Sequence, residues 1–260
     1  MKLLFLADIV GKPGRQAAEA GLAAMRSEHE IDFVVANCEN AAGGFGVTPE
    51  IAQGLFDLGI DVLTSGNHIW DKREVYEYLE KEARLLRPAN YPPENPGRGV
   101  AIGRARGLSI AVVNLQGRVF MPATDCPFRL MSRRVLRELD GKTDLIFVDF
   151  HAEATAEKIA FGWYVDGRVT AVVGTHTHVQ TADARILPGG TAYLTDAGMT
   201  GAVDGVIGVK KELAIERFLK QTPNRFEVAT GNVHCMGVLY EIDESARKVT
   251  RLEPFDRVIA

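Results

Sequence analysis

The sequence predicts an α/β layered fold built on a mixed sheet. Two patterns carry this expectation. Short apolar runs alternate with amphipathic stretches, the mark of β-α units. Later runs follow one another as hairpins, which a purely parallel sheet does not contain. The chain of 260 residues is 46% apolar, 25% charged and 8% aromatic. That composition is ordinary for a globular protein and excludes disordered, collagenous and low-complexity classes. The length is enough to bury a sizeable core without staples. No linker and no internal repeat divides the chain, so residues 1–260 are expected to form one domain.

The elements follow from periodicity. Leu3 to Ala7 reads as a buried strand, and Arg15 to His29 as a helix with Ala17, Ala20, Leu22 and Met25 on one face. Phe33 to Ala36 is a second strand. Thr48 to Leu58 is a second helix, with Thr48 as N-cap and Pro49 in the first turn. Val62 and Leu63 lie in a third strand, and Lys72 to Ala83 in a third helix. Arg87 to Gly99, rich in Pro, Asn and Gly, is a loop. Val100 to Ile102 and Ser109 to Leu115 are strands around a turn at Gly107. Met131 to Leu139 and Ala154 to Trp163 read as helices, Leu145 to Val148 and Val169 to Val173 as strands. The tail adds strands at Ala192 to Leu194, Val238 to Ile242 and Val249 to Leu252, and a helix from Lys210 to Leu219.

The formal charge of −4 leaves no footprint for strong non-specific nucleic-acid binding, although a local RNA contact has room. Cys38, Cys126 and Cys235 are scattered and form neither a disulfide framework nor a C-x-x-C site, which fits a reducing cytoplasm. The apolar start runs only from Leu3 to Ala7 before Asp8 cuts it, with no A-x-A after it, so it is not a signal segment. No stretch approaches the ~18 apolar residues of a membrane helix.

The informative pattern is where the apolar runs end. The first ends at Asp8, the second at Asn37-Cys38-Glu39-Asn40, the third at Gly66-Asn67-His68. The run from Leu145 ends at Asp149-Phe150-His151, and that from Val169 at Gly174-Thr175-His176-Thr177-His178. In open α/β sheets ligands bind at this edge. Carboxylate, carboxamide and imidazole together suit Mn, Fe, Zn or Ni better than Ca or Mg. In an extended segment His176 and His178 would point the same way, ~6.5–7 Å apart at Cα. That span suits neighbouring ions ~3.5–4 Å apart, as in two-metal hydrolases. Glu39, with two oxygens, could bridge them. If Asn67 is a ligand, His68 is left beside the site, free to act as a general acid.

These motifs resemble the calcineurin-like metallophosphoesterases. Gly66-Asn67-His68 followed by Asp71, the late His151, and Gly174-Thr175-His176-Thr177-His178 carry the likeness. Asp8-Ile9-Val10-Gly11, Asn37-Cys38-Glu39-Asn40 and Asp196-Ala197-Gly198-Met199-Thr200-Gly201 resemble the bacterial YmdB-like subgroup. Val10 stands where most of the superfamily has histidine, and Cys38-Glu39-Asn40 where most have Gly-Asp; the subgroup shares both changes. The resemblance implies an α-β-β-α sandwich with two mixed sheets flanked by helices. It implies hydrolysis of small phosphodiesters, in this subgroup 2′,3′-cyclic nucleotides, by metal-bound hydroxide. It places Asp8, Glu39, Asn40 and His178 around one ion and Glu39, Asn67, His151 and His176 around the other, with His68 as proton donor. Asn40 would make the contact that a histidine at Val10 makes elsewhere. The ions are divalent or trivalent transition metals, iron by resemblance, with manganese or zinc also compatible. A homo-oligomer is also implied.

Other readings stand beside these. His68 could cap the following helix, and Asn40 could be a turn residue. His29 reads as a surface residue, and His234 as a satisfied strand histidine or a substrate contact. Cys38 should turn away from the face used by Glu39. Gly43-Gly44-Phe45-Gly46 is either a ligand cradle or a flexible turn, without the lysine and spacing of a P-loop. Arg129, Arg133 and Arg137, with Arg134 nearby, form a solvated stripe or an RNA contact. The stripe is the sole support for a rival function, a non-catalytic metal-stabilised protein that binds nucleotide or RNA and regulates a partner.

Overall fold

The computed structural model describes residues 1–259. Two mixed sheets dominate it. In the first, Lys2–Leu6, Phe33–Asn37 and Val62–Thr64 run parallel. Val233–Asp243 pairs antiparallel with Lys2–Leu6 and, in a long hairpin, with Lys248–Ile259. Met199–Ala202 joins Asp8–Ile9 to this sheet. The second sheet begins with the antiparallel hairpin Val100–Ala105/Leu108–Gln116, turning at Arg106 and Gly107, both in the left-handed region. It continues in parallel through Leu145–His151, Ala171–Thr175 and Ala192–Leu194, with Arg185–Ile186 at its edge.

Strand alternation sets the layers. Leu3 and Phe5 point between the sheets, where they meet Phe33, Val112, Phe147 and Val173. Leu4 and Leu6 point the other way, onto the helices Gly11–Glu28, Pro49–Asp57 and Val75–Lys81. The outer face of the second sheet, with Val113, Val148 and Val172, packs on helical residues Met131, Val135, Phe161 and Val165. Three apolar layers between four structural ones make the expected α-β-β-α sandwich.

Several boundaries differ from expectation. The first helix starts at Gly11 rather than Arg15, because Pro13 lies in the first turn, where no N–H partner is required. Thr48 caps the second helix as expected, its hydroxyl accepting from the Ile51 amide at 3.3 Å. The third helix shrinks to Val75–Lys81, and a separate 3₁₀ turn, Asn67–Trp70, precedes it. The stretch around Met131 is helical from Pro127 to Leu139, with a π-type widening at Met131–Val135. The strand at Leu145 does not stop at Val148: Asp149, Phe150 and His151 remain in it. Asp149 stays in the sheet because Asn37, Thr64 and Thr175 of other strands donate hydrogen bonds to its carboxylate.

Candidate active site

The expected edge is where the polar groups gather. Asp8, Glu39, Asn40, Asn67 and His68 follow strands of the first sheet, while His151 ends a strand of the second and His176 and His178 follow another. The sandwich brings the two edges together. Glu39 Oε1 is 2.9 Å from His151 Nε2, and that nitrogen is 3.0 Å from His176 Nδ1. The backbone amide of His176 donates to Asp8 Oδ2 at 3.1 Å, and that of His68 to Glu39 Oε2 at 3.1 Å. Donor atoms of Glu39, His151 and His176 all lie within 4.8 Å of one another. Asp8, Glu39 and His151 are fully buried.

The far side of each imidazole is occupied. Thr175 Oγ1 donates to Asp149 at 2.7 Å and so accepts from His151 Nδ1 at 2.8 Å. His176 Nε2 faces Glu153 at 3.1 Å, and His178 Nδ1 donates to the Ile207 carbonyl at 2.9 Å. Each ring therefore turns its other nitrogen inward: His151 Nε2, His176 Nδ1 and His178 Nε2. Second contacts of this kind orient metal-binding histidines. Three buried oxygens, Asp8 Oδ1, Asn40 Oδ1 and Asn67 Oδ1, have no hydrogen-bond partner among the described residues. Orphaned buried acceptors are costly unless a cation or proton meets them. A Cβ at Gly66 would fall on the His151 ring and the Glu39 carboxylate, so only glycine lets the chain pass this close. This nitrogen and oxygen set fits transition-metal ions.

Burial drives the electrostatics. It pushes Asp8 well above the ordinary carboxylate range, against the opposing pull of His151. Burial would raise Glu39 as well, but His151 and His68 outweigh it and hold the group at about 2. His151 is drawn up to about 9, since Glu39, Asp8 and Asp149 overcome its burial. Burial and the neighbouring His151 push His176 down to about 3, keeping a neutral ring with its lone pair available. Burial also lowers His178, opposed by the Ile207 carbonyl.

One geometric premise is overturned. His176 and His178 are not in extended chain; their φ angles are 99° and 63°, in the left-handed region. The strand ends at Thr175, and the turn that follows is braced by Asp196. Asp196 Oδ2 accepts from the amide and hydroxyl of Thr177 at 3.1 and 2.8 Å. Its charge is met by Lys158, buried at 1% exposure and 2.6 Å away. Both histidines still line one cavity with Glu39, Asn40 and His68.

His68 sits in the 3₁₀ turn and does not cap a helix. Its Nδ1 faces Asp71 at 2.8 Å, and its ring meets Phe45 edge to face at 5.0 Å. Gly43-Gly44-Phe45 lines the same cavity, so the glycine-rich segment is part of its wall. Asn40 also uses its side-chain amide in a turn, donating to the Gly44 carbonyl at 2.9 Å, which leaves its oxygen free. Cys38 points away into the helix-side core. His234 is satisfied on its strand by Asp256 at 2.6 Å and Asn232 at 3.2 Å. The arginine stripe is exposed and does not line the cavity.

Thr175, Glu153, Lys158 and Asp196 had no assigned role in the sequence reading. Lys158, followed at once by the apolar run Ile159-Ala160-Phe161, was the one available signal, since a buried ammonium needs a carboxylate.

Residues 4–255 match the family model described as YmdB-like protein. The chain belongs to the YmdB-like family. A 2′,3′-cyclic-nucleotide 2′-phosphodiesterase of Bacillus subtilis is 47% identical over 253 residues, 97% of this chain and 96% of the relative. A solved structure described as a novel phosphatase of Mycoplasma pneumoniae has a TM-score of 0.93 at 35% identity, covering 99% of this chain and 93% of that one. The NAD nucleotidase of Haemophilus influenzae, at 14% identity and a TM-score of 0.60, covers 99% of this chain and 56% of that one; it shares the fold. This YmdB-like chain is accordingly an enzyme, a hydrolase of phosphoesters, and the non-catalytic reading falls. No helix among the described residues is long and apolar enough to cross a membrane.

Proposed function

We propose that this chain is a dinuclear metal-dependent phosphodiesterase acting on 2′,3′-cyclic nucleotides, with His68 as the proton donor. The observation that carries the reading is the convergence of ligand atoms. Imidazole nitrogens with their other ring nitrogen already engaged meet a buried carboxylate and orphaned amide and carboxylate oxygens. The orphaned oxygens are costly to bury unless a cation meets them. Asp8, Asn40 and His178 would hold one ion, Asn67, His151 and His176 the other, and Glu39 both. When bound, the ions supply Lewis acidity, lowering the pKa of a nearby water and offsetting charge on the phosphate oxygens.

The remaining work falls to the chain. Water adds at phosphorus and gives up a proton to solvent, one ring P–O bond breaks, and the ribose oxygen left behind needs a proton. His68 is placed to supply that proton from Nε2, because its Nδ1 is engaged by the Asp71 carboxylate at 2.8 Å. Phe45 and the Glu39 contact to the His68 amide fix where the ring stands. The cyclic-nucleotide assignment follows the Bacillus subtilis relative. Three free cysteines suit the cytoplasm as the compartment.

Elemental analysis of the purified protein, joined to a panel of phosphomonoesters and diesters, tests this. About two iron, manganese or zinc ions per chain and preferred turnover of 2′,3′-cyclic AMP are expected. Metal-replete protein that turns over only monoesters, or nothing, would overturn it.

A further inference from the structure

The cavity at the candidate site has a volume of about 740 Å³, the size of a small-molecule pocket rather than of a phosphate. Its two ends differ. One carries Glu39, Asn40, His68, His176 and His178. The other is built by the segment from Gly205 to Val228, through Val206, Ile207, Ala214, Phe218, Phe226 and Val228. We infer that this second wall is a nucleobase subsite, with Phe226, Arg217 and Phe218 as its stacking platform. The inference rests on the cyclic-nucleotide reading above and names how the base is held.

Three observations converge. First, the helix Lys211–Lys220 turns one face to the cavity: Ala214, Arg217 and Phe218, with Gln221 just beyond, at i, i+3, i+4 and i+7. Ile215 and Leu219 do not line it. Second, the Arg217 guanidinium lies 5.0 Å from the centre of the Phe226 ring and makes no ion pair among the described residues. The neighbouring charges are spent locally, Lys210 on Glu227 at 2.5 Å and Lys220 on Glu216 at 2.6 Å. A flat cation over a flat ring, with its charge unclaimed, is a surface on which nucleic-acid bases stack. Third, the wall is tied to the phosphate end. The Ile207 carbonyl that receives His178 Nδ1 belongs to the small hairpin of Gly205–Val206 and Val209–Lys210. One stretch of backbone thus orients a site histidine and carries the apolar wall.

The wall offers few groups to read a base edge; Gln221 and Thr222 are its neutral polar side chains. Recognition is therefore by stacking, which tolerates every base and favours the larger purines. Other occupants of an apolar wall, such as a second copy of the chain, would show no preference between substrates with and without a base.

The test compares 2′,3′-cyclic AMP with cyclic glycerol phosphate, the same five-membered diester without a base, on metal-loaded protein. In Phe226→Ala the ratio of KM for cyclic AMP to KM for cyclic glycerol phosphate should rise roughly tenfold or more, and Arg217→Gln should raise it several-fold. Leu219→Ala, on the same helix and 80% exposed, should leave the ratio alone. Calorimetric binding of adenosine, which has no phosphate, should weaken in Phe226→Ala whether or not the protein turns over. An unchanged KM ratio together with unchanged adenosine binding would overturn the subsite. Wild-type protein that hydrolyses neither diester would sink the phosphodiesterase reading, and adenosine binding alone would then decide this one.

Discussion

Thr175 holds His151 by its far nitrogen. Its hydroxyl gives its only proton to Asp149 at 2.7 Å, so it can only accept from His151 Nδ1 at 2.8 Å. The imidazole is thereby locked with Nδ1–H on Thr175 and Nε2 facing Glu39 and His176. Thr175→Val keeps the shape and removes the lock. Metal affinity, measured by competition with a chelator, should fall ~10–100-fold. Two buried partners would lose their bond, so stability should drop by about 1–3 kcal/mol. Thr175→Ser, which restores the hydroxyl, should recover affinity. Equal affinity in Val and Ser variants would refute the tautomer role.

His68 differs from the other histidines at the site. Its partner is the carboxylate of Asp71, itself exposed, and its own side chain is partly exposed in the cavity. His68→Ala should lower kcat by ~10²–10⁴ and leave metal content as in wild type. Loss of metal in this variant would make it a ligand instead. Full activity with metal verified would remove it from the chemistry.

The contrast between legible and illegible features has a physical basis. Asp8, Glu39, Asn67, His151 and His176 were visible because each follows or ends an apolar run, and strand ends in this architecture share one edge. The backbone at His176 and His178 was not visible. Its left-handed turns depend on Asp196, far along the chain, whose carboxylate pins Thr177 between them. The length of the Leu145–His151 strand was hidden for a similar reason: Asp149 looks like a strand breaker until Asn37, Thr64 and Thr175 are seen around it. The apolar wall at Phe218 and Phe226 came from a tail whose periodicity shows a helix but not what that helix faces.

Lys158 and Asp196 form a buried pair 2.6 Å apart beneath that turn. Removing one member of such a pair strands the other charge in the interior. Lys158→Met should therefore cost ~3–5 kcal/mol, visible as a lower Tm. The Lys158→Met/Asp196→Asn double variant should recover part of the loss, because no charge remains uncompensated. It should not recover metal affinity, since a carboxamide has one accepting oxygen where Thr177 and the Gly198 amide need two. Additive destabilisation in the double variant would show that the two groups do not interact.

Asp183 gives the protein an acid-sensitive element away from the ligand cluster. Burial would raise its pKa, but hydrogen bonds from Thr195 and Thr181 outweigh burial and hold it below the ordinary carboxylate value. Thr181 Oγ1 donates at 2.7 Å, and the Thr195 amide and hydroxyl at 3.2 and 2.5 Å. A carboxylate with a depressed folded pKa stabilises the fold fully above its unfolded value of ~3.9. That contribution disappears as pH falls through the lower folded value. Asp183→Asn lacks it at every pH. The Tm difference between wild type and Asp183→Asn should be largest near neutrality, hold down to about pH 4 and shrink below it. Taking the difference cancels the titration of carboxylates common to both proteins. A difference that stayed constant to pH 3, or grew, would show that the Thr181–Asp183–Thr195 bonds do not favour the ionised group.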